Sequence, residues 1–505
     1  MENPNFQAFI SSNGTISACY LDTSLGAPCE QGSIPPVGVD ARSVGDIQAA
    51  VRFAAKHNLR LVIKNTGHDY LGRSAAPDSF MIWTHNLKNL VYDEAFIPAN
   101  SNSTETFKGE YLPLTFEAGI QWREAYAAAD QHGRVIPGGF SPGVNLEAGG
   151  SVGAAGGWIL GGGHSALSPT YGLGRLLPGV DNVLQFTVVA ASGEVLTANA
   201  FTNPDLFWAL RGGGGGTFGV VTSVTYRTHE RTPVGAALLQ SDFSSPAVAK
   251  QVTSEFLRII PSLADSGWGG YSRFSNESFS AILMAPNATL ADANATFASF
   301  NDLLQSTSNG SVTTTTYDSF LKWYQDRSVG YSIVGVNVEL ASRLFGRKVH
   351  ETEHDKMAEV LLSIDGGFDF NHVAGGMVSR IDPDSVGVTP TWRDAVAHLY
   401  VTVTWRDGAT ATEIRDLQKK LQGYNDLLAD LDPGAGTYLN EASLYERNFQ
   451  QAFFGNHYDR LSAIKDQYDP THLFVVPKGV GSERWDESLN CPSDSKRVEY
   501  GPLVR

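Results

Sequence analysis

Glycine in this chain is concentrated where few backbones can use it. Residues 143–174 read GVNLEAGGSVGAAGGWILGGGHSALSPTYGLG and residues 211–219 read RGGGGGTFG, out of 52 glycines in all. The clusters have no period, which argues against collagen-like or low-complexity chain and for backbone that approaches a ligand closely. Gly214 to Gly219 also spell G-x-G-x-x-G. A dinucleotide fingerprint of that form needs a strand before it and a helix after it. Here the helix-like NPDLFWAL precedes and the β-branched VVTSVTY follows, so the Rossmann reading fails on context. No G-x-x-x-x-G-K-[ST] loop occurs either. Taken alone, the stretch also reads as a hinge-like bulge between two elements.

A third segment, KNTGHDYLGRS at 64–74, follows the strand-like LRLVI (59–63) and sets His68 between a glycine and an aspartate. Successive backbone N–H groups in Gly/Asn/Thr loops form anion-binding concavities without net positive charge. Such a cradle suits this chain, which has 37 Lys+Arg against 53 Asp+Glu and a formal net charge of −16. The three segments together suit a bulky dinucleotide held by backbone. The same negative field argues against nucleic acid or an anionic membrane as partner. No apolar run reaches the ~18 residues of a transmembrane helix. No CxxC or HExxH spacing links the Cys and His residues, so no metal site is expected.

At 505 residues two or more domains are expected. SVGDIQAAVRFAAK (43–56) reads as a helix with a Ser43/Asp46 capping box. LTFEAG (114–119) reads as a strand, and QWREAYAAADQHG (121–133) as a helix closed by Gly133. DNVLQFTVVAASGEVLTA gives two strands around a Ser192-Gly193 turn. From about 235 to 430, β-rich segments such as YVTVTW (400–405) alternate with amphipathic helices such as ATEIRDLQKKLQGYNDLLADL (411–431). The tail then returns to motif-like sequence. The expected class is α+β with two domains: a split one, 1–232 and 433–505, and an inserted one, 233–432, built on an antiparallel sheet backed by helices.

Six N-glycosylation sequons occur, at Asn13, Asn102, Asn276, Asn287, Asn294 and Asn309, four of them within 276–309. The start, MENPNFQAF, lacks the layout of a signal peptide. A secreted glycoprotein whose signal peptide has been replaced by an initiator Met accounts for both. Of three cysteines, a Cys19–Cys29 bridge leaves Cys491 unpaired; the other pairings stay open.

DARSVGDIQAAVRFAAKHNLRLVIKNTGHDYLGRS, SVGAAGGWILGGGHSALSPTYGLGRLLPGVDNV and NPDLFWALRGGGGGTFGVVTS, in that order, resemble the FAD-binding domain of the vanillyl-alcohol-oxidase/p-cresol-methylhydroxylase (PCMH) superfamily. The tail, YLNEAS to VGSERW, is similar to the C-terminal segment of its berberine-bridge-enzyme-like branch, in the fungal type. The resemblance covers roughly 35–230 and 436–485; between them only TWRDA (391–395) matches beyond texture. It implies a PCMH-type FAD-binding domain and an FAD held by Asn65, Thr66, Gly67, His68, Asp69, Arg73 and Ser74. It also implicates Val152, Gly153, Gly157, Gly162, Gly163, His164, Tyr171, Gly172 and Leu173 of the glycine segment, then Val183, Gly219, Val220 and Val221, and finally Tyr438 and Asn440.

In this family the histidine of the G-H-x-Y loop carries the flavin through its 8α-methyl carbon, and His68 matches it. Many relatives add a second link through a cysteine, but Gly149 stands at that position here, which implies a single covalent link. Val152 matches the family's oxygen gatekeeper, where valine goes with access of O₂ to the flavin. The expected function is an FAD-dependent oxidase that abstracts a hydride from a small organic substrate (a fungal secondary metabolite, an alcohol or a sugar) and reduces O₂ to hydrogen peroxide. An oxidative cyclase and a non-catalytic flavin- or glycan-binding protein are the alternatives. Tyr438 and Glu441 are candidates for the proton acceptor, with His398 third; for each, a structural role explains the residue as readily. Glu441 stands where many relatives have tyrosine.

Overall fold

The computed structural model describes residues 8–101, 112–140, 152–171, 180–327 and 337–493. The first helix, Val44–Lys56, begins at the reciprocal capping box of Ser43 and Asp46 and buries Ile47, Ala50, Val51 and Ala54. It packs on a three-stranded parallel sheet ordered Val37–Asp40, Phe80–Trp83, Leu61–Lys64. Parallel neighbours need such a crossover, and ligands of α/β layers collect beyond the carboxyl ends of the strands. The histidine loop leaves from that end of Leu61–Lys64.

A five-stranded antiparallel sheet follows, ordered Val195–Asn199, Val183–Val189, Val220–Tyr226, Leu114–Glu117, Leu90–Tyr92. Its hairpin turns at Ser192-Gly193, as the sequence implies. The fingerprint-like glycines lie between helix Pro204–Leu210 and strand Val220–Tyr226, the reverse of a Rossmann order.

Strands between 234 and 405 form a seven-stranded antiparallel sheet. Helices Pro246–Asp265, Leu290–Thr307 and Ala411–Leu431 contribute Phe256, Phe297 and Leu421 to a core shared with Phe274, Phe368, Phe370, Leu399 and Val401 of the strands. Side chains alternate along a strand with period two. Tyr271, Asp369, Asn371, His398 and Tyr400, which alternate with those core residues, therefore stand on the opposite face. The alternation fixes which side chains of this sheet are free for a ligand.

The tail ties these parts together. Leu344 N–H donates to Gly436 O at 2.9 Å, and the Ser342 hydroxyl bonds to Thr437 and to Glu441 O. Further on, helix Tyr458–Tyr468 carries Lys465, whose Nζ donates to Thr217 O and Phe474 O, both at 2.7 Å, and pairs with Asp469. Asp469 in turn accepts from Leu473 N and Phe474 N, each at 2.8 Å. Cys19 and Cys29 are bonded and Cys491 is free and exposed. Among the described residues no helix is long and apolar enough to cross a membrane. The fold is α+β.

Lys465 and Asp469 are 1% and 0% exposed, so neither charge has water to fall back on. Lys465→Met strands the carboxylate and should cost about 3–5 kcal/mol. Urea unfolding followed by tryptophan fluorescence measures it, and adding Asp469→Leu to the first change should recover part of the loss. A Lys465→Met protein as stable as the parent would contradict this account.

Candidate active site

The histidine loop, the glycine segment, the Gly215-Gly216 turn and the tail close around one cleft with about 1170 Å³ of empty space, its open mouth included. His68 and Glu441 both line it. His68 Nδ1 lies 2.9 Å from Thr66 Oγ1. Burial, aided by the charge of Lys64, pushes the imidazole down to about 4. It is neutral at physiological pH and keeps a lone pair, as a nucleophile must.

Asp69 and Arg73 form a buried ion pair within the loop, with Arg73 Nε 2.8 Å from Asp69 Oδ1. Arg73 also donates to Asn440 Oδ1 at 2.8 Å. The Asn440 amide nitrogen reaches Gly157 O at 3.0 Å and the Tyr438 hydroxyl at 2.7 Å. One asparagine of the tail thus joins the histidine loop to the glycine segment. Arg73, expected among the phosphate-cradle residues, is engaged in this joint.

Val152 is held on the cleft wall by backbone and by packing against the core: its C=O accepts from Trp122 N at 3.1 Å, and Gln121 bridges Gly153. A β-carbon on Gly153 would collide with the Asn65 side chain, and one on Gly161 with Asn440. These close approaches leave room for a ligand only because the side chains are missing. Ser74, Gly157, Gly219 and Val221 also line the cleft, while Gly162 and Gly163 lie behind it against Val388 and Trp158.

Behind Glu441 stand two imidazoles. His164 Nε2 is 3.2 Å from Glu441 Oε1, and His398 Nδ1 is 3.4 Å from Oε2. Burial alone would raise the Glu441 carboxyl; the imidazoles, His164 ahead of His398, overcome it and hold it below the usual glutamate value. Burial also drives His398 down to about 4. The cluster is therefore an ionised carboxylate between side chains, one of which, His398, is firmly neutral. Tyr438 is 1% exposed, and burial together with Glu441 pushes its phenol far up. It packs edge-on to His164 and His398 at 5.1 and 5.7 Å between ring centres.

Besides Gly162, Gly163 and His164, three expected cofactor residues lie off the cleft wall. Val183 is fully buried in the core of the five-stranded sheet. Val220 points to the opposite face from Val221, into the core under the first helix. Tyr171 stacks on His229 at 4.5 Å. Each is a neighbour in sequence of a glycine motif and not a neighbour in space of the cleft. Gly172 and Leu173, like Gly149, lie outside the described residues. Conversely, Tyr70, Phe140 and Trp158 line the cleft without having been singled out. Tyr70 stands two residues after His68 in the loop, a signal that was present; Phe140 is brought in by tertiary packing, stacked on Tyr271 at 4.7 Å and against Trp323 and Tyr324.

The donor set suits a flat dinucleotide. It consists of glycine backbone, short polar side chains and a neutral imidazole, and the buried Asn65 Oδ1 has no hydrogen-bond partner. FAD fits such a cleft by its ring, its phosphates and its need of acceptors.

Residues 35–199 match the family described as FAD binding domain, and residues 437–481 the one described as berberine and berberine like. An uncharacterized FAD-linked oxidoreductase of Arthroderma benhamiae is 37% identical over 510 residues, which span 94% of this chain and 82% of that protein. The crystal structure of the VAO-type flavoprotein MtVAO615 at pH 5.0, from Myceliophthora thermophila C1, superposes with a TM-score of 0.82 at 30% identity, over 92% of this chain and 84% of that one. The glucooligosaccharide oxidase of Acremonium strictum, which has a 6-S-cysteinyl, 8α-N1-histidyl FAD, shares the fold at a TM-score of 0.72 and 18% identity, over 88% of this chain and 92% of that one. The chain belongs to the VAO-type FAD-linked oxidoreductases, in their berberine-like branch, a family of enzymes.

Proposed function

We propose that the chain is an oxidase: it removes a hydride from a C–H beside a hydroxyl of a small organic substrate, a fungal secondary metabolite, alcohol or sugar, and yields hydrogen peroxide from O₂. The observation that carries this reading is that a neutral, nucleophilic His68 and an ionised Glu441 share one cleft. Residues 1–232 and 433–505 form the FAD-holding domain and 233–432 the substrate-side domain. Bound FAD supplies the hydride acceptor and hands the electron pair to O₂.

His68 holds the FAD covalently, and it does so alone. In the Acremonium enzyme a cysteinyl link accompanies the histidyl one. Here Cys19 and Cys29 are bonded to each other, Cys491 is exposed, and no cysteine lines the cleft among the described residues. Asn65, Thr66, Gly67 and Ser74 bind the cofactor from the histidine loop. Asp69, Arg73 and Asn440 keep that loop in register with Gly157.

Glu441 takes the substrate's hydroxyl proton at a carboxylate oxygen. It is ionised, it opens onto the cleft, and its imidazole partners fix its orientation. Tyr438 is a weaker candidate, since its phenol holds its proton too firmly and is committed to Asn440. His398 acts through Glu441 as a positioning residue. Secretion with N-linked glycans fits as well: Asn13, Asn276, Asn287, Asn294 and Asn309 are all exposed.

Acid-precipitated protein should stay yellow, and His68→Ala should release its flavin to the supernatant. A flavin recovered on a cysteine peptide would refute the single link. The pH profile of kcat/KM should be level from neutrality down to the ordinary glutamate range. It should fall only below that range, as the depressed Glu441 carboxyl takes a proton. Glu441→Gln should remove this limb and lower kcat by about 10²–10⁴-fold. A rise confined to alkaline pH would mark Tyr438 as the acceptor instead.

Val152 leaves space on the cleft wall for O₂. Val152→Leu adds one methylene, at about 1–3 kcal/mol if the wall is tightly packed. Reoxidation of the reduced enzyme by O₂ should slow by about an order of magnitude, since the added group fills a space of the size O₂ needs. An artificial quinone acceptor should be little affected. Equal oxygen reactivity in both proteins, at full covalent flavin, would make Val152 a packing residue.

A further inference from the structure

Metal-binding motifs are recognised in sequence by close spacing, and none occurs here. The fold assembles what the spacing does not. His164 follows the GGG triplet, His398 stands on strand Ala395–Trp405, and Glu441 belongs to the tail. His164, His398 and Glu441 each offer a ligand atom, and these atoms all lie within 4.8 Å of one another. His164 Nε2 is 3.2 Å from Glu441 Oε1 and His398 Nδ1 is 3.4 Å from Oε2, so each imidazole approaches a different oxygen, both near the roughly 3.4 Å that tetrahedral zinc at about 2.0–2.1 Å sets between ligand atoms.

Two further observations call for a cation at this point. The ion pairs of Glu441 among the described residues are with these two imidazoles, and no lysine or arginine side chain reaches it. Its Oε2 is buried without a hydrogen-bond partner. A buried carboxylate oxygen with no hydrogen-bond donor and no lysine or arginine beside it is costly to hold. The cluster also has a direction. His164 and His398 are 6% and 0% exposed, whereas Glu441 is 24% exposed and lines the cleft. Catalytic zinc sites combine three protein ligands, two histidines and a glutamate among the known sets, with one position open to substrate.

We propose that His164 Nε2, His398 Nδ1 and one oxygen of Glu441 bind a divalent cation of the zinc class, whose open position faces the cleft and receives an oxygen of a hydroxylated substrate. The second Glu441 oxygen remains to take the hydroxyl proton, which the cation makes easier to remove. The inference rests on the reading of this cleft as the place where such a substrate is oxidised, and it narrows that substrate to one with a hydroxyl that can ligate a metal.

The test uses the full flavin-loaded chain, prepared without a histidine tag, incubated with excess zinc chloride, desalted and analysed by plasma emission. About one zinc per chain is expected. The double variant His164→Ala/His398→Ala should hold none while keeping its covalent flavin, which reports that it has folded. Cobalt in place of zinc should give visible bands to the red of the flavin, absent from the double variant. A parent protein without zinc, or a double variant that retains as much as the parent, overturns the site. The two proposals separate through Glu441→Gln. A zinc-free parent whose Gln variant still loses turnover leaves a bare carboxylate as the acceptor and no metal. A zinc-loaded parent whose Gln variant turns over normally keeps the metal and removes Glu441 as the acceptor.

Discussion

Two glycine loops meet with no room for a β-carbon between them, and the rest of the molecule is arranged around that contact. Gly214 N–H donates to Leu160 O at 2.8 Å, and a β-carbon on Gly215 would lie 2.9 Å from Gly157 Cα. Backbone packed this closely presents main-chain dipoles to the cleft in place of side chains. A chain with a net charge of −16 can therefore offer a surface for an anionic cofactor without a patch of lysines. Ile159, Leu160 and Phe218 anchor these loops in the core. Further stiffness comes from outside: from Lys465, which reaches under the second loop to Thr217 O, and from Asn440, which grips the first at Gly157 O. Both anchors belong to the tail, which explains why a segment so far along the chain carries family features as specific as those of the first half.

The electrostatics of the cleft follow from the same economy of charge. Arg73, a basic residue on its wall, is neutralised by Asp69 at once. With little positive charge left over, burial dominates the ionisable groups, and it acts in opposite senses on bases and acids. It strips His68 and His398 of their protons and keeps the protons on Tyr70 and Tyr438. Glu441 is the exception, because two imidazoles stand against it. One cleft thus contains neutral nucleophilic nitrogen, neutral phenols and, besides the Asp69–Arg73 pair, the anionic carboxylate of Glu441, each kept in that form by its surroundings.

What could be read in the sequence was what neighbouring residues decide together. The Ser43/Asp46 capping box, the hairpin at Gly193, the failure of the Rossmann context and the Cys19–Cys29 bond all depend on spacings of a few residues, and the structure contains each. His68 was singled out by the resemblance of its G-H-x-Y loop to the family's, and it stands on the cleft wall. Tyr171, Val183 and Val220 mark the limit of that reasoning. They were drawn into the site by proximity in sequence, and strand alternation or a local stack turned them away.

The His164–Glu441–His398 cluster was illegible for a different reason. Each member taken singly has an ordinary explanation: a histidine after glycines, a histidine on a strand, a glutamate in a tail turn. Their meeting requires that the seven-stranded sheet turn its His398 face toward the cleft. It also requires that the tail pass between that face and the glycine segment, and Ser342 fixes this passage by bonding to Thr437 and to the Glu441 carbonyl. Register in one sheet therefore sets the chemistry of a cleft built mainly by others. A one-residue slip of strand Ala395–Trp405 would send Leu399 to the cleft and His398 into the phenylalanine core. The hydrophobic alternation that prevents this slip is itself plain in AHLYVTVTW, so the sequence specifies the cluster without displaying it.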